Sequence, residues 1–279
     1  MTVIDTAVGP APVLHRLALG VECLDAITGR RMRTDVAVGR EVDTRLLPRV
    51  HDLGWPCTEF ESKGIGRAQL RLDATTPTTV RLRLVDPLRR VVPRRFDLPL
   101  WTLPEILAAE PSDVPARSRL LRPWLWPASG AVLPYGTTVV RGTVRSVGGP
   151  VRWARLTAVR PADGPVGHGH ADDRGEFLVV ITDTGSLPPP APSTLDIDLV
   201  VTAPDPAAVV VDPEDQYADL VVEPVARSSN PPLPGELDNP VLRGTATPPG
   251  YLPNTAAIPT LTVPVGEALA LTAAIPFAA

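Results

Sequence analysis

An all-β protein is expected from three properties of this 279-residue chain. Apolar and polar residues alternate with a period of two in several short runs, which turns one face of each run toward a core. The 35 prolines are spread widely; each fixes φ and removes a backbone donor, so long helices are disfavoured and short strands with extended connectors are favoured. Glycine-containing turns separate the runs. At 44% hydrophobic residues the chain can bury two modest cores, because one sandwich needs only about 100 residues. The expected architecture is two β-sandwich domains, a Pro-rich connector with one short helix, and an extended C-terminal arm.

Residues 1–11 read as an N-terminal arm and residues 12–101 as the first sandwich. Leu17, Leu19, Val21 and Cys23 alternate with Ala18, Gly20 and Glu22, and Thr28-Gly29 supplies a turn. Cys23 takes an inward position that suits a small apolar side chain, so a buried thiol is expected there rather than a bridge to Cys57. Ala68, Leu70 and Leu72 face away from Arg67, Gln69 and Arg71, and Val80, Leu82 and Leu84 repeat the pattern against Arg81 and Arg83. Both runs predict sheet with one wet face. Asp86-Pro87 closes the second, and Arg94 to Leu100 reads as a short final edge strand guarded by charge and by Pro99.

Residues 102–136 form the connector. Thr102-Leu103-Pro104-Glu105 has the form of a capping box, which predicts a short helix through Ala109 that Pro111 stops. Arg122-Pro123-Trp124-Leu125-Trp126-Pro127 follows as a stiff segment whose indoles cover a core edge. The alternative makes Trp124 and Trp126 a surface platform for stacking a sugar.

The second sandwich, residues 137–226, is the best marked. Val139 to Val144 forms a strand, Gly148-Gly149-Pro150 a turn, and Val151 to Val159 the returning strand. After a Gly-rich loop holding His168 and His170, Asp172-Asp173-Arg174-Gly175 turns tightly into Glu176 to Ile181, where Asp favours the turn and Gly tolerates positive φ. Leu195, Ile197 and Leu199 alternate with Asp196 and Asp198, and Tyr217 to Val222 reads as the closing strand.

Gly142-x-Val144, Gly149-Pro150-Val151, Ala154 and the later Asp-x-x-Gly-x-Phe of Asp172 to Phe177 resemble the carboxypeptidase regulatory-like, or transthyretin-like, β-sandwich over residues 137–225. The resemblance implies a fold used by many unrelated proteins and no activity of its own. A weaker echo at Gly64-Ile65-Gly66 lacks the acidic residue and the Phe, which leaves duplication of the domain open.

Residues 227–279 are rich in Pro, Thr, Ala and Gly and nearly free of charge, a composition poor at forming a core alone. Ile258, Leu261, Val263, Val265, Leu269, Leu271 and Ile275 are nevertheless too apolar for a solvated tail. They predict an interaction arm that docks as an added strand on its own sandwich or on a neighbour.

Charge divides the chain. Residues 1–160 carry 24 Arg or Lys against 15 Asp or Glu, a net of +9, while residues 161–279 carry 3 against 16, a net of −13, which together give −4. The halves are expected to attract each other within one molecule or between successive copies. The basic residues lack interleaved stacking aromatics, so nucleic acid is not an expected partner. No run of about 18 apolar residues predicts a membrane span, and residues 1–13 lack the basic start and apolar run of a signal peptide. Cytoplasmic synthesis is expected, including for a component of a particle released later.

No P-loop, H-E-x-x-H, G-x-S-x-G or dinucleotide motif is present. His168, His170, Asp172 and Asp173 are the residues with metal-ligand chemistry, but two His in a Gly-rich loop are expected to decorate a solvated turn, and the acids already serve that turn. No catalytic residue, cofactor or metal is assigned. The combination of sandwiches, opposed charge and a sticky arm resembles an accessory component of a phage-tail-like contractile injection particle, such as a baseplate, cap or fibre-attachment protein. The expected function is a non-catalytic assembly subunit that contacts other protein subunits or copies of itself. A carbohydrate- or surface-binding module is the first alternative and a metal-dependent enzyme the second.

Overall fold

A computed structural model describes residues 2–4, 13–15, 17–41, 57–71, 76–108, 116–161, 163–182, 192–205, 215–227 and 239–279. Strands dominate them and helix is confined to short segments, as an all-β chain requires. Among the described residues no helix is long and apolar enough to cross a membrane.

The chain opens on an antiparallel pair, β1 (Thr2–Ile4) with β2 (Val13–His15). Then come β3 (Leu17–Glu22), β4 (Leu24–Asp25), β5 (Ala37–Glu41), β6 (Cys57–Glu59), β7 (Glu61–Ser62), β8 (Arg67–Arg71), β9 (Thr79–Val85) and β10 (Arg94–Pro99). Antiparallel ladders β3–β8–β7 and β10–β9–β5–β6 share one core that includes Val21, Leu82, Leu84 and Phe96. The expected inward faces of β3 and β9 are buried, but β9 has no wholly wet face, because Arg83 is 3% exposed against acidic partners.

Helix α1 (Leu103–Ala108) is capped reciprocally: the Thr102 amide donates to Glu105 Oε2 at 2.8 Å, and the Glu105 amide donates to Thr102 Oγ1 at 3.4 Å. The segment read as a connector then contributes β11 (Leu120–Leu121) and β12 (Trp124–Leu125), parallel to β3 and β4. Leu121 and Leu125 enter the first core. Two-residue parallel pairings leave no period-two pattern, so the sequence gives no sign of them.

A second core lies within β13 (Val139–Ser146), β14 (Gly149–Pro150), β15 (Arg155–Arg160), β16 (Gly164–Ala171), β17 (Glu176–Ile181) and β18 (Thr194–Pro204), paired in the order β14–β13–β17–β16–β15–β18. The tight turn before β17 is built as expected. Asp172 Oδ1 accepts the amides of Arg174 and Glu176 at 2.9 and 3.0 Å. Gly175 has φ 72°, and a Cβ there would stand 2.7 Å from Val144 O.

β16 corrects the expectation of a Gly-rich loop around His168 and His170. The glycines permit a strand packed unusually close to β17, since a Cβ on Gly167 would lie 2.5 Å from Val180 O. A second correction follows β18. The expected closing strand is replaced by a turn at 217–220 and by β19 (Val222–Pro224), which runs parallel to β10 in the first sheet. β10 is therefore internal rather than an edge, and Val225 joins the first core.

The C-terminal segment holds helix α2 (Pro240–Arg243), then β20 (Tyr251–Pro253), β21 (Leu261–Pro264), β22 (Ala268–Ala270) and β23 (Ile275–Pro276). β20 and β21 pair antiparallel with β18, while β22 and β23 run parallel to β13. The arm thus docks on its own second core and covers both flanking strands of that sheet, the positions that otherwise template pairing with another chain. Val263, Ile275 and Phe277 are buried, and Ile258, Leu261, Val265, Leu269 and Leu271 pack partly buried against the same core.

Deleting residues 251–279 is therefore expected to unfold or aggregate the second core rather than leave it intact. The single change Phe277→Ala should lower stability by about 3–5 kcal/mol in urea unfolding. An unchanged midpoint would mean that the arm is only loosely attached.

Candidate functional site, a buried charge junction

Register places Val139 and Arg141, Leu178 and Val180, His168 and His170, Arg155 and Thr157, and Val200 and Thr202 on one face of the second sheet. Elements of the first core and helix α2 pack against this face. At the contact, Glu223 of β19 lies between Arg94 of β10 and Arg155 of β15. Arg94 donates from Nε and Nη2 to Glu223 at 2.9 and 2.5 Å, and from Nη1 to the carbonyls of Trp124 and Leu242 at 2.9 and 2.6 Å. Its Nη2 also donates to the Val241 carbonyl. Arg155 Nη2 reaches Glu223 Oε1 at 2.8 Å. Arg94 has no exposed surface and Glu223 only 2%.

Burial works to raise the Glu223 carboxyl, but Arg155 and Arg94 outweigh it and hold the group below its ordinary value. The carboxylate is thus fully charged at neutral pH and already holds both guanidinium groups. Arg94 is lowered by burial against the pull of Glu223, yet a guanidinium stays protonated. The second positive charge is offset by the ring of backbone carbonyls at 124, 241, 242 and 244.

His170 completes the cluster. Its Nε2 lies 2.8 Å from Gly244 O and its Nδ1 2.5 Å from Arg155 Nη1. Arg155 Nη1 also lies against Nε2; a hydrogen on Nε2 serves Gly244 O, and Nδ1 is then the ring atom left to accept from Arg155. Burial first, then Arg155 and Arg94, push His170 well below 6.5, and burial also lowers His168. His170 lies in the protein interior, and His168 is half-buried beside Trp126. Asp172 is engaged by Arg174 and by turn amides, and Asp173 lies 3.5 Å from Arg89. Among the described residues, no group of three His, Cys, Asp or Glu is placed to hold a metal ion.

The tryptophan platform is not assembled. Trp126 is 3% exposed, donates its indole N–H to Arg243 O at 2.9 Å and packs beside both histidine rings. Trp124 is half-buried, with the Arg243 guanidinium 4.6 Å from its ring centre. A cavity of about 10 Å³ borders the cluster, lined in part by Trp153, Arg155, His170 and Tyr251. That is room for about one water molecule. Cys23 is a free buried thiol pushed up to about 12 by burial.

Other ion pairs also join residues 1–160 to 161–279: Arg83 to Asp215 at 2.7 Å, Arg152 to Asp219 at 2.5 Å and Arg89 to Asp173 at 3.5 Å. The charge division of the sequence is thus drawn on inside one molecule. No motif announced Arg94, Arg155 or Glu223 individually, and the opposed halves were the one available signal. No protein-family model, curated protein or solved structure matches the chain. The family resemblance rests on its motif residues alone.

Replacing Glu223 with Gln leaves two buried guanidinium groups without their counter-ion, and the expected loss is about 3–5 kcal/mol in urea or thermal unfolding. A loss below about 1 kcal/mol would show that the carbonyls suffice. The histidines set a separate pH dependence. Their folded values lie below the ordinary 6.5, so the unfolded chain takes up protons first; stability is complete above about pH 6.5 and declines as pH falls below it. A His168→Gln, His170→Gln variant should lack the decline between about pH 6.5 and 5, and retention of it would assign the effect elsewhere.

Proposed function

We propose that this protein is a non-catalytic structural subunit that works through contacts with other protein subunits. The observation that carries the reading is the use made of its converging ionisable groups. Arg94, Glu223, Arg155 and His170 are saturated by one another and by backbone carbonyls, and they bind two β bodies together. A general acid or base needs a titratable atom within reach of a substrate proton. Here the buried carboxylate is engaged on both oxygens and the adjoining cavity has the volume of about one water. Rigidity of this kind suits a spacer or attachment element.

A baseplate, cap or fibre-attachment role in a phage-tail-like contractile injection particle is the specific form of this proposal, and it is carried by the sequence resemblance. The sugar-binding alternative is weakened by the burial of Trp126, and the metal-dependent alternative by the cationic surroundings of His170.

The test is native mass. Size fractionation of cells that make the protein, with immunodetection, should place it in a fraction far larger than its own 29.7 kDa, together with a reproducible set of other subunits. Recovery solely as free 29.7 kDa chain would reject the proposal.

A further inference from the structure

Many described arginines rest against a carboxylate, as at Arg67, Arg83, Arg94 and Arg155. Arg30, Arg31 and Arg33 differ: their side chains are exposed, and no carboxylate among the described residues pairs with them. They follow directly on a turn that is held rigid. Asp25 Oδ1 accepts the amides of Ile27 and Thr28 at 2.8 and 3.0 Å, and the Gly29 amide donates to Asp25 O at 2.8 Å.

An apolar loop stands beside this turn, because Ile27 and Leu133 pack on the same small cluster of Val139, Leu178 and Val180. Val132 and Tyr135 of that loop are fully exposed, at 97% and 106%. The loop is also pinned. Arg141 donates to Ser129 O and Ala131 O, and Thr137 Oγ1 donates to Pro134 O at 2.7 Å. Preorganised aromatic and apolar side chains beside unspent charge are the composition of an interface centre and its rim.

The complementary surface is on β18. Asp196 and Asp198 pair with no cation among the described residues; each uses only Oδ1, accepting from the Thr262 and Thr260 hydroxyls at 2.7 Å. Val200, next on the same strand face, is 51% exposed. One patch is therefore basic and apolar, and the other acidic and apolar. Three strand spacings separate β17 from β18 in the sheet, or about 15 Å. Ile27 and Leu133 anchor the first patch on the face of the sheet that carries the junction, and Asp196, Asp198 and Val200 stand on that same face.

Resting on the subunit reading, we infer that these patches bind each other between two copies of the chain, with Arg30, Arg31, Arg33 and the Val132–Tyr135 loop of one copy against Asp196, Asp198 and Val200 of the next. A two-fold arrangement satisfies both patches of both copies at once.

Sedimentation velocity of the full chain tests this, over a concentration series at about 50 mM and about 500 mM salt, where screening differs strongly. Association is expected at low salt and should weaken at least about tenfold at high salt. Reversing either patch, as R30E/R31E/R33E or as D196R/D198R, should leave a folded monomer by circular dichroism, and mixing the two variants should restore association. If a reversed variant misfolds, R30Q/R31Q/R33Q and D196N/D198N carry the same comparison with weakening in place of reversal. A chain that is monomeric throughout, or that associates equally well after these changes, overturns the inference. The native-extract mass then still decides the subunit reading independently, because partners of other kinds would leave that mass high.

Discussion

Glu223 held between Arg94 and Arg155 is the constraint on which the rest of the structure depends. A charge removed from water is costly unless its partners are close and its remaining bonds are made. Here three side chains from β19, β10 and β15 and the carbonyls around α2 meet that demand only together. Displacing any of these elements strands a buried charge. The arrangement therefore acts less as a source of net stability than as a penalty on other registers. It accounts for β19 lying parallel to β10 in the first sheet, and for α2 ending with its carbonyls turned toward Arg94.

The same logic extends to the surface between the two cores. Trp126, His168 and His170 fill the space beside the cluster, while Val85, Val92, Trp153, Tyr217 and Leu220 form a separate apolar group that includes residues from both sides. Trp153 adopts φ 62°, an uncommon conformation for a residue with a large side chain. Packing against Tyr217 and the guanidinium of Arg152 accompanies it. Apolar burial supplies adhesion here, and the charges supply registration.

Local chemistry was legible in the sequence. Alternation marked β3, β8, β9 and β18, Thr102 and Glu105 marked the helix cap, and Asp172 to Gly175 marked the turn into β17, because each signal lies within a few residues. Pairings between distant segments were not legible. Arg94 and Glu223 are 129 residues apart, and nothing adjacent to either distinguishes it from a surface charge. β16 was hidden by its own glycines, which ordinarily mark loops but here permit close strand approach. The arm residues Ile258 to Ile275 were recognisable as adhesive, yet apolarity alone does not name the surface that they meet. That surface is the arm's own sheet.

The central claim is that two β cores behave as one body because the charge junction fixes their register while apolar burial beside it holds them together. Differential scanning calorimetry of the full chain at neutral pH tests it most directly. A single transition whose calorimetric and van't Hoff enthalpies agree is the predicted result. Two separable transitions, one for each core, would contradict it.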